Sequence, residues 1–306
     1  MRILLLLSLS VALLLASCDN KYEAKKPDDV ETINSGKLSI YVDETLEGII
    51  DSTFSMYEVD YPNVELTVNY ENSRNTMSQL LGGETRIAVN ARDYLDDELA
   101  QMEKFAVEKH KRFALAYDGL VLFVKNDFPI DTLNAVDLEN AISQGSSLSK
   151  SVFNLEFEPT YATLEQNSSV FANFSKYISK NDTLKKKVEL LSNIDELKKH
   201  VASNNSIIGI AYLSHLINDD RFKMLQIGFQ NDSTDEYISP KPVHQGYIVQ
   251  DLYPFKVTYW GYLLEDRQNL PFWFVTYLAK QTIVQQYFLN QGVVPAFAKI
   301  KLKYEE

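Results

Sequence analysis

Strand-like and helix-like segments alternate over the first third of the chain, and this alternation constrains the possible folds most. Apolar patterns predict strands at residues 37–42, 64–70 and 87–89, each followed by a helix; the first helix is predicted from Leu46 through Tyr57. Such a β-α-β-α-β-α order is typical of a parallel sheet with right-handed crossover connections. In an open α/β sheet, ligands bind at the carboxyl ends of the strands. The loops that follow these strands are therefore the first candidates for functional residues.

The turn after the third strand carries Asn90, Ala91, Arg92 and Asp93. An arginine held beside the free N–H groups of a helix N-terminus can form paired hydrogen bonds to an anion. The same arginine could be an exposed side chain in a solvated loop, and position alone favours neither interpretation. The pattern therefore predicts where a site lies and leaves open whether Arg92 binds a ligand.

Residues 112–124 contain two strand-like halves, separated by Tyr117, Asp118 and Gly119. No helix fits between the halves, which indicates one long segment that crosses from one lobe of the protein to another. Beyond it, the patterns predict strands at residues 153–157, 206–212, 222–227 and 256–264. They predict helices at residues 136–142 and 194–201, one that begins after Ser168 and Ser169, and two that follow Pro271.

The N-terminal residues have the pattern of a bacterial export signal. Arg2 supplies a positive charge, residues 3–15 are apolar but too few to span a bilayer, and Leu15-Ala16-Ser17-Cys18 resembles a lipobox. The alternative is a leftover cysteine in an ordinary signal peptide. We expect a lipoprotein signal peptide at residues 1–17 and a flexible tether at residues 18–35. The body would then be held at a membrane through a lipid on Cys18.

Composition excludes several classes of protein. The formal net charge of −12 disfavours nucleic acid and anionic membrane surfaces as partners. Cys18 is the only cysteine, so a lipidated mature chain would have no disulfide and no cysteine metal site. The four histidines are not at metal-ligand spacing, and no hydrolase, metalloprotease or nucleotide-binding motif is present. We therefore expect no metal, no cofactor and no enzyme activity.

Four passages carry a more specific signal. The first runs from Asp60-Tyr-Pro-Asn-Val64 to Gly82, and the second is Ile87-Ala-Val-Asn-Ala-Arg92 with Glu98. The third begins at Tyr117-Asp-Gly-Leu-Val-Leu-Phe-Val-Lys-Asn126 and continues through Leu138 to Gly145. The fourth combines Ile208-Gly-Ile-Ala-Tyr212, Tyr253-Pro254 and the run from Gln286 to Pro295. In this order and spacing, the passages resemble the phosphate-binding proteins of bacterial phosphate ABC importers, over nearly all of Gly36 to Pro295.

The resemblance implies a two-lobed periplasmic-binding-protein fold of the α/β class. It would have mixed, mostly parallel sheets with flanking helices, and a ligand cleft between the lobes. Lobe one would comprise residues 36–117 and 244–306, and lobe two would comprise residues 118–243. Ligand binding would close the lobes by a hinge motion.

The resemblance also implies a ligand site. In the family, helix N-termini and Ser or Thr hydroxyls donate to the oxyanion, an arginine forms paired hydrogen bonds to it, and a carboxylate accepts the ligand's proton. The matching donors here are Thr45, Ser73, Asn90, Arg92, Ser168 and Ser169. Asp118 is the candidate acid, and it could instead be a turn residue before Gly119.

Three loops depart from the family pattern. Asp43-Glu44-Thr45 stands where the family has Gly-Ser-Ser/Thr-Thr, and Asn72-Ser73-Arg74-Asn75 replaces a Gly-Ser-Gly loop. Ser168-Ser169-Val170 replaces Ser-Gly-Thr, and Glu165 precedes it where the family has an upstream arginine. Carboxylates of the first loop would repel phosphate directly if they face the cleft.

Two functional hypotheses follow. The first is a monomeric, lipid-anchored solute-binding protein that captures phosphate or a related small oxyanion for an ABC permease. It would lie in the cell envelope and face the periplasm or the cell surface. The alternative is a binding-fold lipoprotein that has lost phosphate binding and acts as a sensor or envelope interaction protein, or binds a different small ligand.

Overall fold

The computed structural model describes residues 31–180, 182–231 and 233–297. Its strands and helices form two α/β lobes that share one long strand. The strands, numbered β1 to β13 along the chain, form two sheets. In the 10-stranded sheet the order is β2-β1-β3-β12-β4-β8-β6-β7, and β9 and β13 also pair with β4. The strands β11, β10 and β5, in that order, form a separate three-stranded sheet. The predicted α/β fold with two lobes is confirmed. The chain elements have the following bounds.

Lobe one contains the elements β1 (Gly36–Asp43), α1 (Asp51–Asp60), β2 (Val64–Glu71), α2 (Ser73–Leu81), β3 (Ile87–Asn90), α3 (Asp96–Lys104), β12 (Lys256–Leu263), α9 (Leu270–Lys280), α10 (Thr282–Asn290) and β13 (Val294–Pro295). The strand β4 (Lys111–Lys125) belongs to both lobes. Lobe two contains the elements β5 (Thr132–Asn134), α4 (Ala135–Ser143), α5 (Leu148–Ser151), β6 (Thr160–Leu164), α6 (Ser169–Tyr177), β7 (Val188–Leu191), α7 (Ile194–Ser203), β8 (Ile207–Tyr212), β9 (Phe222–Met224), β10 (Gln226–Asn231) and β11 (Glu236–Ile238). The helix α8 (Gln245–Val249) contacts lobe one, where Gln245 Nε2 donates to the carbonyl oxygens of Leu289 and Val293.

The first three strands end together at one edge of the lobe-one sheet. β1 pairs in parallel with β2, where Asp43 lies opposite Glu71, and with β3, where Val42 lies opposite Val89. Leu38, Ile40 and Val42 alternate along β1 and are buried, as the pleat of a strand requires. This register brings the loops after β1, β2 and β3 to the same edge, as the sequence pattern predicts.

Strand β4 joins the lobes. Its first half pairs antiparallel with β12 as far as Gly119, and from Leu120 onwards it pairs antiparallel with β8. The predicted crossing between lobes is confirmed. The predicted interruption at residues 117–119 is wrong, because these residues pair in register with β12 and the strand continues through all 15 residues. The change of partner lies two residues after the predicted lobe boundary.

Three predicted elements differ from the structure. Glu44–Leu46 forms a short 3-10 turn, and the first helix begins at Asp51, after Gly48 adopts a φ of +78° that a helix cannot include. The predicted strand at residues 153–157 is wrong: Phe153 is 88% exposed, and the strand lies at Thr160–Leu164 instead. The predicted strand at 222–227 is divided into β9 and β10 at Leu225.

A continuous core runs through both lobes. Residues Leu120 to Val124 of β4 are fully buried, because helices and strands of lobe two cover both faces of this segment. Within the described ranges, no helix is both long and apolar enough to cross a membrane. Cys18, the predicted signal peptide and most of the predicted tether lie outside the described residues.

Candidate functional site

The carboxylate of Asp43 lies at the centre of the region where the two lobes meet. The side chain is completely buried. One oxygen, Oδ1, accepts hydrogen bonds from the backbone N–H of Thr45 (3.1 Å) and from Thr45 Oγ1 (2.9 Å). The other, Oδ2, accepts from the backbone N–H of Ala91 (3.3 Å). Two backbone N–H groups and one hydroxyl therefore donate to a single carboxylate; we call this point the anion position.

The donors around the anion position belong to both lobes. Thr45 Oγ1 of lobe one and Ser169 Oγ of lobe two are 2.9 Å apart. Tyr212 OH donates to Ser169 Oγ at 2.8 Å, and Asn173 Nδ2 donates both to Tyr212 OH (2.9 Å) and to the carbonyl oxygen of Ala91 (2.8 Å). The loops after β1 and β3 are thus joined to α6 and β8 in one buried network.

Burial shapes the electrostatics of this network. It raises the pKa of Asp43 above its ordinary value, while the hydrogen bonds from Ser169 and Thr45 oppose the rise. Burial and the nearby Asp43 charge raise the pKa of Tyr212 well above its ordinary value. Tyr212 therefore stays protonated at neutral pH and is available as a donor to Ser169.

Arg92 is close to the anion position but binds within its own lobe. Its Nη1 and Nη2 form a bidentate pair with Glu98 Oε2 and Oε1 (2.8 and 2.6 Å), and Nε donates to Ser73 Oγ. The remaining two N–H groups donate to the carbonyl oxygens of Asp93 (2.9 Å) and Ser73 (3.2 Å). All five guanidinium N–H groups are occupied, so the predicted anion clamp is corrected: Arg92 positions Ser73 and the turn after β3.

Ser73 and Asn90 belong to the same cluster as Arg92. Ser73 Oγ donates to Asn90 Oδ1 at 2.9 Å, and Asn90 Nδ2 donates to the carbonyl oxygen of Ser73 at 2.9 Å. Both side chains are fully buried. Their polar groups hold the end of β3 against the first turn of α2, and this places the Ala91 N–H beside Asp43.

Asp118 lies in β4 and not in a turn, so the alternative interpretation of this residue is wrong. Its Oδ1 accepts from the Gly119 N–H at 2.6 Å, and its Oδ2 accepts from Tyr259 OH. Burial raises its pKa, and hydrogen bonds from Ser214 and Tyr259 oppose the rise. The Tyr259 ring lies 6.3 Å from the Tyr212 ring, so Asp118 forms a second buried network beside the anion position.

Ser168 is the N-cap of α6. Its Oγ accepts from the Phe171 N–H at 3.1 Å and donates to the carbonyl oxygen of Glu165 at 2.6 Å. A side-chain cap of this kind satisfies one of the free N–H groups at a helix start. The hydroxyl of Ser168 is therefore used by the helix itself, whereas the hydroxyl of Ser169, the next residue, lies 2.9 Å from Thr45 Oγ1.

A cavity of about 510 Å³ opens between the lobes beside this network. Thr45, Ser168 and His215 line it, and five carboxylates share its wall: Glu44, Glu47, Asp51, Glu165 and Asp195. Among the described residues that line it, none is Lys or Arg. Burial, with the charges of Asp43 and Glu165, raises the pKa of Glu44. The electrostatic potential in this cavity is therefore negative.

His215 connects the lobes at the edge of the cavity. Its Nε2 lies 2.8 Å from the carbonyl oxygen of Thr45. Burial lowers the pKa of His215 to about 4, so the ring is neutral at pH 7 and Nε2–H donates to this carbonyl. The other nitrogen, Nδ1, is buried without a hydrogen-bond partner.

Sequence reasoning missed Asn173 and Tyr212 and named Asp43 only as a departure from a family pattern. Tyr212 appears in the strand pattern as a core residue, and Asn173 lies mid-helix without a motif. The usable signal was Asp43 itself, an acid in a loop where a family of anion-binding proteins has small residues. In residues 31–180, 182–231 and 233–297, no three His, Cys, Asp or Glu side chains group in a way that could hold a metal ion.

Comparisons with known proteins agree with this architecture. The family model described as a PBP superfamily domain matches residues 29–281. A putative phosphate ABC transporter substrate-binding protein from Clostridium perfringens, solved with bound phosphate, is similar at a TM-score of 0.67 and 14% identity, covering 85% of this chain and 100% of that chain. An ABC-type phosphate transport receptor from Vibrio cholerae is similar at 0.67 and 18% identity, covering 84% and 99%.

PstS from Borrelia burgdorferi is similar at a TM-score of 0.58 and 16% identity, covering 85% of this chain and 98% of that chain. At these identities the structural likeness establishes the fold. No curated protein matches the sequence.

Proposed function

The chain belongs to the PBP superfamily, and we propose that it is a solute-binding protein that delivers phosphate or a related small oxyanion to an ABC permease. One observation carries the proposal. Two backbone N–H groups and the Thr45 hydroxyl converge on one buried carboxylate, and the Ser169 hydroxyl of lobe two lies 2.9 Å from the Thr45 hydroxyl. Oriented N–H and hydroxyl donors at strand ends and helix N-termini are the groups that bind small oxyanions in proteins.

The similar proteins support this proposal. Those from Clostridium perfringens and Vibrio cholerae are described as phosphate ABC transporter proteins, and both align over nearly their whole length. In the proposed function the chain binds and releases its ligand without changing it, and it is not an enzyme. Its partners are a small anion and a membrane permease.

We place the protein in the cell envelope. Cys18 would carry a lipid after removal of residues 1–17, and residues 18–35 would link the lipid to a monomeric body that faces the periplasm or the cell surface. Mass spectrometry of the exported protein tests the anchor: a lipidated N-terminal cysteine supports it, and an unmodified mature chain that retains Cys18 overturns it.

Anion titration tests the proposed ligand. Isothermal titration calorimetry with phosphate, sulfate and molybdate at millimolar concentrations should show binding to the full mature chain. Ser169→Ala should weaken it about tenfold, since a hydrogen bond to a charged group contributes about 1.5 kcal/mol or more. Ser55→Ala, on the exposed face of α1, is the matched control and should bind as the unaltered chain does. Absence of binding by all three anions, to every variant, would contradict the oxyanion proposal.

A second candidate function is favoured by the carboxylates of the cavity. Glu44, Glu47, Asp51, Glu165 and Asp195 face a space whose described lining has no Lys or Arg, which suits a neutral or cationic small ligand. A thermal-shift screen with small amines and neutral solutes discriminates between the candidates. Stabilisation that disappears in Glu165→Gln would favour this second function, and stabilisation by anions alone would exclude it.

A further inference from the structure

We propose that the Asp43 carboxylate is an internal anion that occupies the oxyanion position and holds the two lobes together, so that a free oxyanion must compete with it. The inference rests on the proposed function and names the residue that controls binding.

The hydrogen bonds show that the donors are already satisfied. A backbone N–H can only donate, and the N–H groups of Thr45 and Ala91 both end on Asp43 oxygens, at 3.1 and 3.3 Å. The hydroxyl of Thr45 donates to the same carboxylate at 2.9 Å. An external oxyanion would need these same donors, so it can bind only after the carboxylate has moved or lost its charge.

The contacts between lobes show what the carboxylate holds together. Asp43 and Thr45 are in lobe one, and Ser169 of lobe two hydrogen-bonds the Thr45 hydroxyl that donates to Asp43. Further hydrogen bonds cross the boundary around them, among them Asn173 Nδ2 to Ala91 O (2.8 Å), His215 Nε2 to Thr45 O (2.8 Å), and Arg74 N to Asn167 O (3.2 Å). The lobes therefore meet in a closed arrangement around a charge that the chain itself supplies.

The position of the cavity excludes a ligand beside the carboxylate. Asp43 and Ser169 have no exposed surface, and Thr45 is 7% exposed. The 510 Å³ cavity is lined by Thr45 and Ser168, but Asp43 and Ser169 are not among its lining residues. A phosphate in the cavity would face Glu44 and Glu165, and a phosphate at the anion position would share it with Asp43. Like charges at hydrogen-bond distance disfavour simultaneous ionisation.

Removal of the carboxylate tests the competition. Asp43→Ala and Asp43→Asn are compared with the unaltered chain and with Glu103→Ala, which removes an exposed carboxylate from α3. Cooperative thermal melting first confirms that each variant folds. Calorimetric titration with inorganic phosphate and with sulfate should show at least tenfold tighter binding to Asp43→Ala, and unchanged binding to Glu103→Ala. Binding to both Asp43 variants that is no tighter than to the unaltered chain would overturn the competition.

Solution scattering tests the lobe contact separately. Without added anion, Asp43→Ala should have a larger radius of gyration than the unaltered chain, and phosphate should reduce it. An unchanged radius in both Asp43 variants would overturn the lobe contact. Opening without anion binding by any variant would support the role of Asp43 between the lobes and contradict the proposed oxyanion function. Tight phosphate binding by the unaltered chain that is weakened in both Asp43 variants would support the proposed oxyanion function and contradict the role of Asp43.

Discussion

The backbone N–H of Ala91 donates to the carboxylate of Asp43, although 48 positions separate the two residues in the chain. They meet because β1 and β3 are parallel neighbours that end at the same edge of the sheet. Ala91 lies between Asn90 and Arg92, whose side chains fix the turn from behind. The position of this N–H group therefore depends on the buried cluster of Ser73, Asn90 and Arg92 as well as on Asp43.

Loss of the Arg92–Glu98 pair should destabilise the fold. Removing one partner of a buried ion pair costs about 3–5 kcal/mol, because the other charge stays buried without compensation. Arg92 and Glu98 side chains are 3% and 8% exposed. Arg92→Ala should therefore lower the free energy of unfolding by about 3 kcal/mol in urea titration. Arg74→Ala, which breaks the exposed Arg74–Asp97 pair, is the control and should cost less than about 1 kcal/mol. Equal effects of the two substitutions would contradict the structural role of Arg92.

Removal of the Tyr212 hydroxyl should loosen the contact between lobes. Tyr212→Phe keeps the ring but deletes the donor to Ser169 and the acceptor of Asn173. Leaving buried polar groups unsatisfied costs about 1–3 kcal/mol. Urea unfolding should show this loss, whereas Tyr237→Phe, at a side chain that is 56% exposed, should change stability by less than about 0.5 kcal/mol. An unchanged free energy of unfolding in Tyr212→Phe would show that the network does not stabilise the closed arrangement.

Acidification should charge His215 and weaken its contact with Thr45. Burial lowers the pKa of His215 from 6.5 to about 4, so the folded chain favours the neutral ring. A group of this kind contributes stability that is present above the unfolded pKa of 6.5 and is lost as pH falls towards about 4. The melting temperature of the unaltered chain should fall more over this range than that of His215→Gln, which does not titrate. An NMR titration of the His215 ring with a midpoint near 6.5 would refute the prediction.

Acidification should also weaken the ion pair and the hydrogen bonds of Glu158, at a lower pH than for His215. Burial alone would raise the pKa of Glu158. Hydrogen bonds from Lys186, from Ser147 and from the backbone N–H groups of the loop outweigh burial and lower this pKa to about 2. The resulting stability is present above the unfolded pKa of 4.5 and is lost as pH falls towards about 2. Glu158→Gln should cost about 1 kcal/mol near neutral pH, as expected for a half-exposed ion pair. This difference from the unaltered chain should shrink below pH 4.5.

The control for Glu158 is Glu65, which pairs with Lys37 on the surface. Glu65→Gln should lower the free energy of unfolding by less than about 1 kcal/mol at neutral pH, because both side chains are mostly exposed. A difference between Glu158→Gln and the unaltered chain that stays constant down to pH 2 would show that Glu158 is not held ionised by its neighbours.

The sequence predicted a strand well where its residues alternate between buried and exposed positions. In β1, the buried residues Leu38, Ile40 and Val42 alternate with the more exposed Lys37, Ser39 and Tyr41, so the alternation is visible in the sequence. Strand β6, Thr160–Leu164, was missed because four of its five residues are buried and no alternation remains. The continuity of β4 was also missed, because Asp118 and Gly119 look like turn residues in the sequence although they pair with β12.

The candidate site was predictable in its location more than in its contacts. Arg92 was correctly placed at the sheet edge, and its partner Glu98 lies six positions later in the same passage. The contact that matters most, between Thr45 and Ser169, spans 124 positions and depends on how the two lobes close. No local pattern encodes that closure. The role of Asp43 therefore emerges only when both lobes are placed together.

Strand β4 has a consequence for how the protein unfolds. Its hydrogen bonds to β12 end at Gly119 and those to β8 begin at Leu120, so adjacent residues of one strand stabilise different lobes. Melting of lobe two would leave half of β4 without a partner and expose the fully buried side chains of residues 120–124 to water, and melting of lobe one would leave the other half unpaired. The two lobes consequently form one cooperative folding unit, in which a single transition is expected and neither lobe survives the loss of the other.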